Sequence, residues 1–122
     1  MAYNLDLMRA VREQITKHPE THDQTSWGER TECGTTHCIA GWACALNGDA
    51  LLWESDDEDD DGRRLETASM LDIEDGWITI PERAQEILGL DNAWANQLFF
   101  GSSEDQALAK LDELIKKGER AA

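Results

Sequence analysis

No apolar stretch in this sequence approaches the roughly 18–20 residues that a membrane-spanning helix needs; the longest block, Cys38 to Leu46, is about half that. The opening Met1-Ala2-Tyr3-Asn4-Leu5-Asp6 lacks the basic start and apolar run of a secretory signal, so a cytosolic location is expected. Basic residues are scarce: 11 Lys and Arg stand against 26 Asp and Glu, a formal charge of −15 at pH 7. Such a field repels phosphate backbones and anionic membrane surfaces, so neither nucleic acid nor membrane is expected as a partner. It attracts cations and basic protein patches instead. Three cysteines, an odd number, do not make a secreted disulfide framework, and reduced thiols are the expectation in cytosol. There is no internal repeat.

What is present points to a folded chain. Five tryptophans supply a large burial payload and argue against disorder. A length of 122 residues suits one domain over 1–122, with a core that needs no metal or disulfide. Within it, the stretch 54–64 reads as an acidic loop with the composition of a flexible one.

Helical spacing dominates. Leu5 to Lys17 carries an apolar face of Leu5, Leu7, Met8, Val11 and Ile15, with Asn4 as N-cap and His18-Pro19 as the stop. Thr36 to Gly48 has no charged residue after His37, which predicts a central, buried helix capped by Thr35 or Thr36. Thr79-Ile80-Pro81-Glu82 has capping-box spacing and opens a helix that buries Ala84, Ile87 and Leu88 and ends at Gly89. Asp91 caps a short helix through Trp94, Leu98 and Phe99. Ser103 to Gln106 repeats the box before a last helix that buries Ala107, Leu108, Leu111, Leu114 and Ile115. Residues 20–36 read as polar and turn-like. Ala50 to Trp53 reads as extended, and 65–80 can supply one or two short strands. The expected fold is therefore mainly α: about five helices around the apolar helix 35–48, with a short β-hairpin within 49–80.

The most distinctive stretch is Cys33-Gly34-Thr35-Thr36-His37-Cys38-Ile39-Ala40-Gly41-Trp42-Ala43. With Trp27 upstream, and Ala84-Gln85-Glu86-Ile87-Leu88-Gly89-Leu90, Ala95 and Leu98-Phe99 downstream, it resembles a family of small uncharacterised proteins encoded by actinobacteria and, above all, by their bacteriophages. The resemblance implies a phage origin and a role inside an infected bacterium. The acidic run from Glu54 to Asp61 is not part of that pattern.

Four chemistries fit the cysteine stretch. The first is structural: Trp27, Cys33, Gly34, Thr35, Cys38, Gly41 and Trp42 form a packing motif with the thiols as small buried hydrophobes. The second is zinc on a set drawn from His18, His22, Cys33, His37 and Cys38, with the Cys33/Cys38 spacing at the edge of the usual range. The third is a disulfide or redox pair between Cys33 and Cys38, the latter activated at a helix N-terminus. The fourth is a Cys38 nucleophile, but every histidine lies at or before position 37 and nothing is evidently placed to orient one. The structural reading leads.

Asp57-Glu58-Asp59-Asp60-Asp61-Gly62 matches the start of a calcium loop, with Asp57, Asp59 and Asp61 as ligands. Position twelve, however, is Ala68 where a bidentate Glu belongs, so a solvated acidic loop is the simpler reading. Pro81 to Phe99 has helix-turn-helix spacing, but its second helix contains no Lys or Arg to meet phosphate or guanine. No cofactor and no catalytic set is expected. The leading functional expectation is a non-enzymatic interaction protein that presents Glu54, Asp56, Asp57, Glu58, Asp59, Asp60 and Asp61, with any exposed tryptophan such as Trp53 or Trp77, to a basic partner. A zinc or calcium protein, and a DNA-mimic inhibitor of a host enzyme, are the alternatives.

Overall fold

A computed structural model describes residues 3–24, 27–31, 34–55, 66–73, 76–100 and 103–121. Helix α1 (Leu5–Lys17) is followed by a 3-10 turn at Pro19–Thr21 and two short strands, β1 (Glu29–Thr31) and β2 (Gly34–Thr36). Next come α2 (Ile39–Leu46), β3 (Leu51–Ser55), β4 (Glu66–Ile73) and β5 (Gly76–Thr79). Three helices close the chain: α3 (Ile80–Leu88), α4 (Asn92–Phe99) and α5 (Glu104–Ala121).

The mainly α expectation is wrong. The five strands form one antiparallel sheet in the order β2-β1-β4-β3, with β5 also paired to β4, so the fold is α+β. The expected hairpin exists as β4 and β5, but it belongs to this larger sheet. The missed strands have a physical explanation. β1 and β2 are three residues each, too short to display a period of two. On β4, a register shift lets Ser69 and Met70 oppose the single residue Leu52, so Ala68 and Leu71 both turn inward although they are three apart. That spacing imitates a helix.

The central helix is also shorter than expected. Thr35 and Thr36 are not its caps; they lie in β2, and the helix starts at Ile39 with Cys38 as an N-cap that makes no side-chain capping bond. β-Branched threonines after a glycine suit the strand. Ile39, Ala40, Gly41, Ala43 and Cys44 are buried, and α2 packs against α1 and α3.

The other helices follow their local signals. Asn4 Oδ1 accepts from Leu7 N, Thr79 Oγ1 from Glu82 N and Asp91 Oδ1 from Trp94 N. Ser103 and Gln106 form the reciprocal capping box. Gly89 closes α3 at φ 73°, a conformation that costs other residues. One core joins Met8, Val11, Ile39, Leu71, Ile80, Leu88, Leu98, Leu111 and Leu114, with the inner sheet face against the helices.

Candidate functional site

The histidine-cysteine stretch is knitted into the interior. His37 pairs in parallel with His22: His37 N donates to Thr21 O at 3.0 Å and Asp23 N to His37 O at 3.0 Å. Trp42 Nε1 donates to the same Thr21 carbonyl at 2.9 Å. The His37 ring is 2% exposed, and its Nδ1 donates to Trp27 O at 2.9 Å, which selects the Nδ1-protonated tautomer. The His37 and Trp42 rings stand in a T-shaped contact at 4.7 Å between centroids, with Trp53 at 5.8 Å. Gly28 and Gly41 lie against the ring; a Cβ at either would stand 3.1 or 2.8 Å from Nδ1. Burial pushes the His37 pKa below its ordinary value, against the pull of the Trp27 carbonyl.

The thiols are equally enclosed. Burial raises Cys38 to about 11, although the backbone amides of Gly41 and Ala40 act the other way. Burial likewise raises Cys44 to about 12. Both are free, fully buried and protonated at neutral pH, hence poor nucleophiles. Gln24, which sequence reasoning missed, ties this region together. Its Nε2 donates to Leu98 O at 2.9 Å, while its Oε1 accepts from His22 Nε2 at 2.9 Å and Ile39 N at 3.4 Å. It thereby satisfies one orphan amide of α2 from fifteen residues upstream. No local signal marks it, since it is one polar residue within a polar stretch.

The zinc candidates do not converge where they are described. His18 is exposed beside Glu20 at 3.7 Å, His22 is bonded to Gln24, and His37 and Cys38 are sealed inside; Cys33 lies outside the described residues. Among the described residues, no three His, Cys, Asp or Glu side chains gather as a metal site would require. Asp57, Asp59 and Asp61, and with them Asp56, Glu58 and Asp60, also lie outside the described residues. Ala68, the twelfth position of the calcium pattern, is a core residue of β4 paired with Trp53. Glu66 is held by Arg30 through Nε at 3.2 Å and a second guanidinium nitrogen at 2.8 Å. Arg30 in turn lies 4.5 Å over the Trp53 ring.

The remaining distinctive surface is the outer face of the sheet. Leu71, Ile78 and Leu51 pair across three strands and pack inward. Their neighbours therefore face out in rows. One row is Glu29, Thr67 and Glu54; the next is Leu52, Met70 and Thr79; the last is Asp72 and Trp77. Trp77 is 64% exposed and Leu52 39%. Every described charged side chain in these rows is a carboxylate, and Arg30 sits on the opposite face with Glu66 and Trp53. Of the acidic partner-binding residues expected from the sequence, only Glu54 falls among the described residues, exposed near the end of β3; of the two tryptophans expected beside them, Trp77 is exposed and Trp53 packs against the core.

Comparison of the chain with protein-family models, with curated proteins and with solved structures finds no match. Among the described helices, none is long and apolar enough to cross a membrane.

Proposed function

We propose that the protein is a non-enzymatic interaction protein that binds a basic macromolecular partner through its anionic surface. The observation that carries this reading is the outer sheet face, where Glu29, Glu54 and Asp72 are the only described charged groups and an exposed tryptophan stands among them. The net charge of −15 extends the same field over the molecule, which favours fast, salt-sensitive association with cationic surfaces. The groups with catalytic potential support it from the other side. His37 is enclosed with its pKa lowered by burial, Cys38 and Cys44 are protonated and buried, and Gln24 is consumed by contacts to the His22 ring, Ile39 N and Leu98 O. The resemblance noted in the sequence supports a phage-encoded protein acting on a host or phage target in the bacterial cytoplasm.

The test is capture from bacterial lysate on the immobilised full chain, compared with a Glu29→Lys/Glu54→Lys/Asp72→Lys variant. The expected result is a specific partner retained at low salt, released at about 0.5 M salt where screening is short-ranged, and absent from the variant. A partner held equally by the charge-reversed protein, or no partner at low salt, removes the reading.

A further inference from the structure

We infer that the outer face of β3, β4 and β5 is a docking surface for a cationic amphipathic protein segment, with Leu52, Met70 and Trp77 as its apolar seat. This rests on the reading of the chain as an interaction protein and names where and what it binds. Trp27, Trp42, Trp53 and Trp94 all pack against the core; Trp77 alone stands outside it, with no ring partner among the described residues. Its position is built, because the pairing of Asp72 with Trp77 and of Leu71 with Ile78 commits the indole to the outer side as firmly as it commits Ile78 to the core.

The three apolar residues are contiguous by register. Leu52 opposes Met70 across the β4 bulge, and Met70, paired with Thr79, is the diagonal neighbour of Trp77, within reach of an aromatic side chain. The unbroken β4–β5 register turns Met70 outward, opposite to Leu71, and the bulge sets it with Ser69 across from Leu52. Tryptophan and methionine are both enriched at protein interfaces, and tryptophan is among the residues that most often anchor them.

Charge decides the occupant. Glu54 flanks the apolar seat on β3 and Asp72 flanks it on β4, while no Lys or Arg lies in the described rows. A second copy of the same face would set carboxylate against carboxylate, and an anionic lipid or a nucleic acid would be repelled for the same reason. A protein segment with a leucine-like side chain over Trp77, and Lys or Arg one turn or one strand pair to either side, answers both the apolar and the anionic part.

The experiment titrates the isotopically labelled full chain with three short tryptophan-free peptides: a Leu/Lys amphipathic helix, a Ser/Lys peptide of equal charge and a Leu/Glu peptide. The expected result is binding of the Leu/Lys peptide, with amide and indole shifts centred on Leu52, Met70 and Trp77. Trp77→Ser is expected to weaken it roughly tenfold or more, the loss typical of an interface anchor, with an unchanged melting temperature because the side chain is outside the core. If both lysine peptides bind equally and shift residues elsewhere, the docking surface falls while the anionic reading stands. If neither binds at low salt, both fall. Self-association abolished by Trp77→Ser, or binding to zwitterionic vesicles without peptide, assigns the face to another occupant and overturns the inference.

Discussion

The imidazole of His37 donates a hydrogen bond to the carbonyl of Trp27, and Gly41 is what lets the two approach across the start of α2. A Cβ at residue 41 would collide with that carbonyl oxygen and stand 2.9 Å from His37 Cβ. Gly41→Ala is therefore expected to cost about 3 kcal/mol by overpacking, or to prevent folding. Gly48→Ala is the control: it meets no atom within 4 Å, and only its φ of +84° opposes a side chain. Its expected cost is about 1–2 kcal/mol. Urea denaturation of both variants checks the order, and equal losses would refute the close-approach argument.

Stability should respond to His37 as the pH falls. The folded pKa lies below the ordinary 6.5 because burial disfavours the imidazolium. The unfolded chain therefore takes up the proton first, and folding weakens as pH drops through 6.5 toward the lower folded value. Above 6.5 the full contribution is present. Thermal melting between about pH 7.5 and 5.5, above the range where carboxylates titrate, is expected to show a decline that His37→Gln flattens.

Cys38 and Cys44 should be silent toward thiol reagents in the native protein. With pKa values raised to about 11 and about 12, neither supplies thiolate at pH 8, and both are enclosed. In a Cys33→Ser background, labelling is expected to follow unfolding, with both thiols appearing together in denaturant. Rapid labelling of Cys38 alone under native conditions would revive a reactive-thiol role.

The exit of α2 is tied to α3 by Arg83, whose Nε and a second guanidinium nitrogen reach the two oxygens of Asp49 at 3.0 and 3.3 Å. Asp49 holds the guanidinium above its ordinary pKa. A double-mutant cycle of Asp49→Asn and Arg83→Met should return about 1 kcal/mol of coupling, as expected for a bidentate, half-enclosed pair. The same cycle on Arg9 and Glu119, 3.5 Å apart and both about half exposed, should give a few tenths at most.

The residues of the candidate surface were partly legible. Glu54, Trp53 and Trp77 are all candidate contact residues in the sequence, but nothing in the order of residues separates Trp77 from Trp53, which the structure turns inward under Arg30. The difference is one of strand register, and register depends on partners far along the chain. Gln24 was illegible for the same reason: its partners His22, Ile39 and Leu98 meet only after α2 and α4 have packed.

Local chemistry determined α1, α3, α4 and α5. Their caps at Asn4, Thr79, Asp91 and Ser103 and their apolar stripes act within a turn or two, so the residues themselves specify them. Only the tertiary structure decided the sheet. β1 finds β4 more than thirty residues away, two of the strands are too short to carry a pattern, and the bulge at Ser69 and Met70 breaks the alternation of the longest. Strand pairing is bonding between distant segments, and its energy appears only when both are brought to the same core.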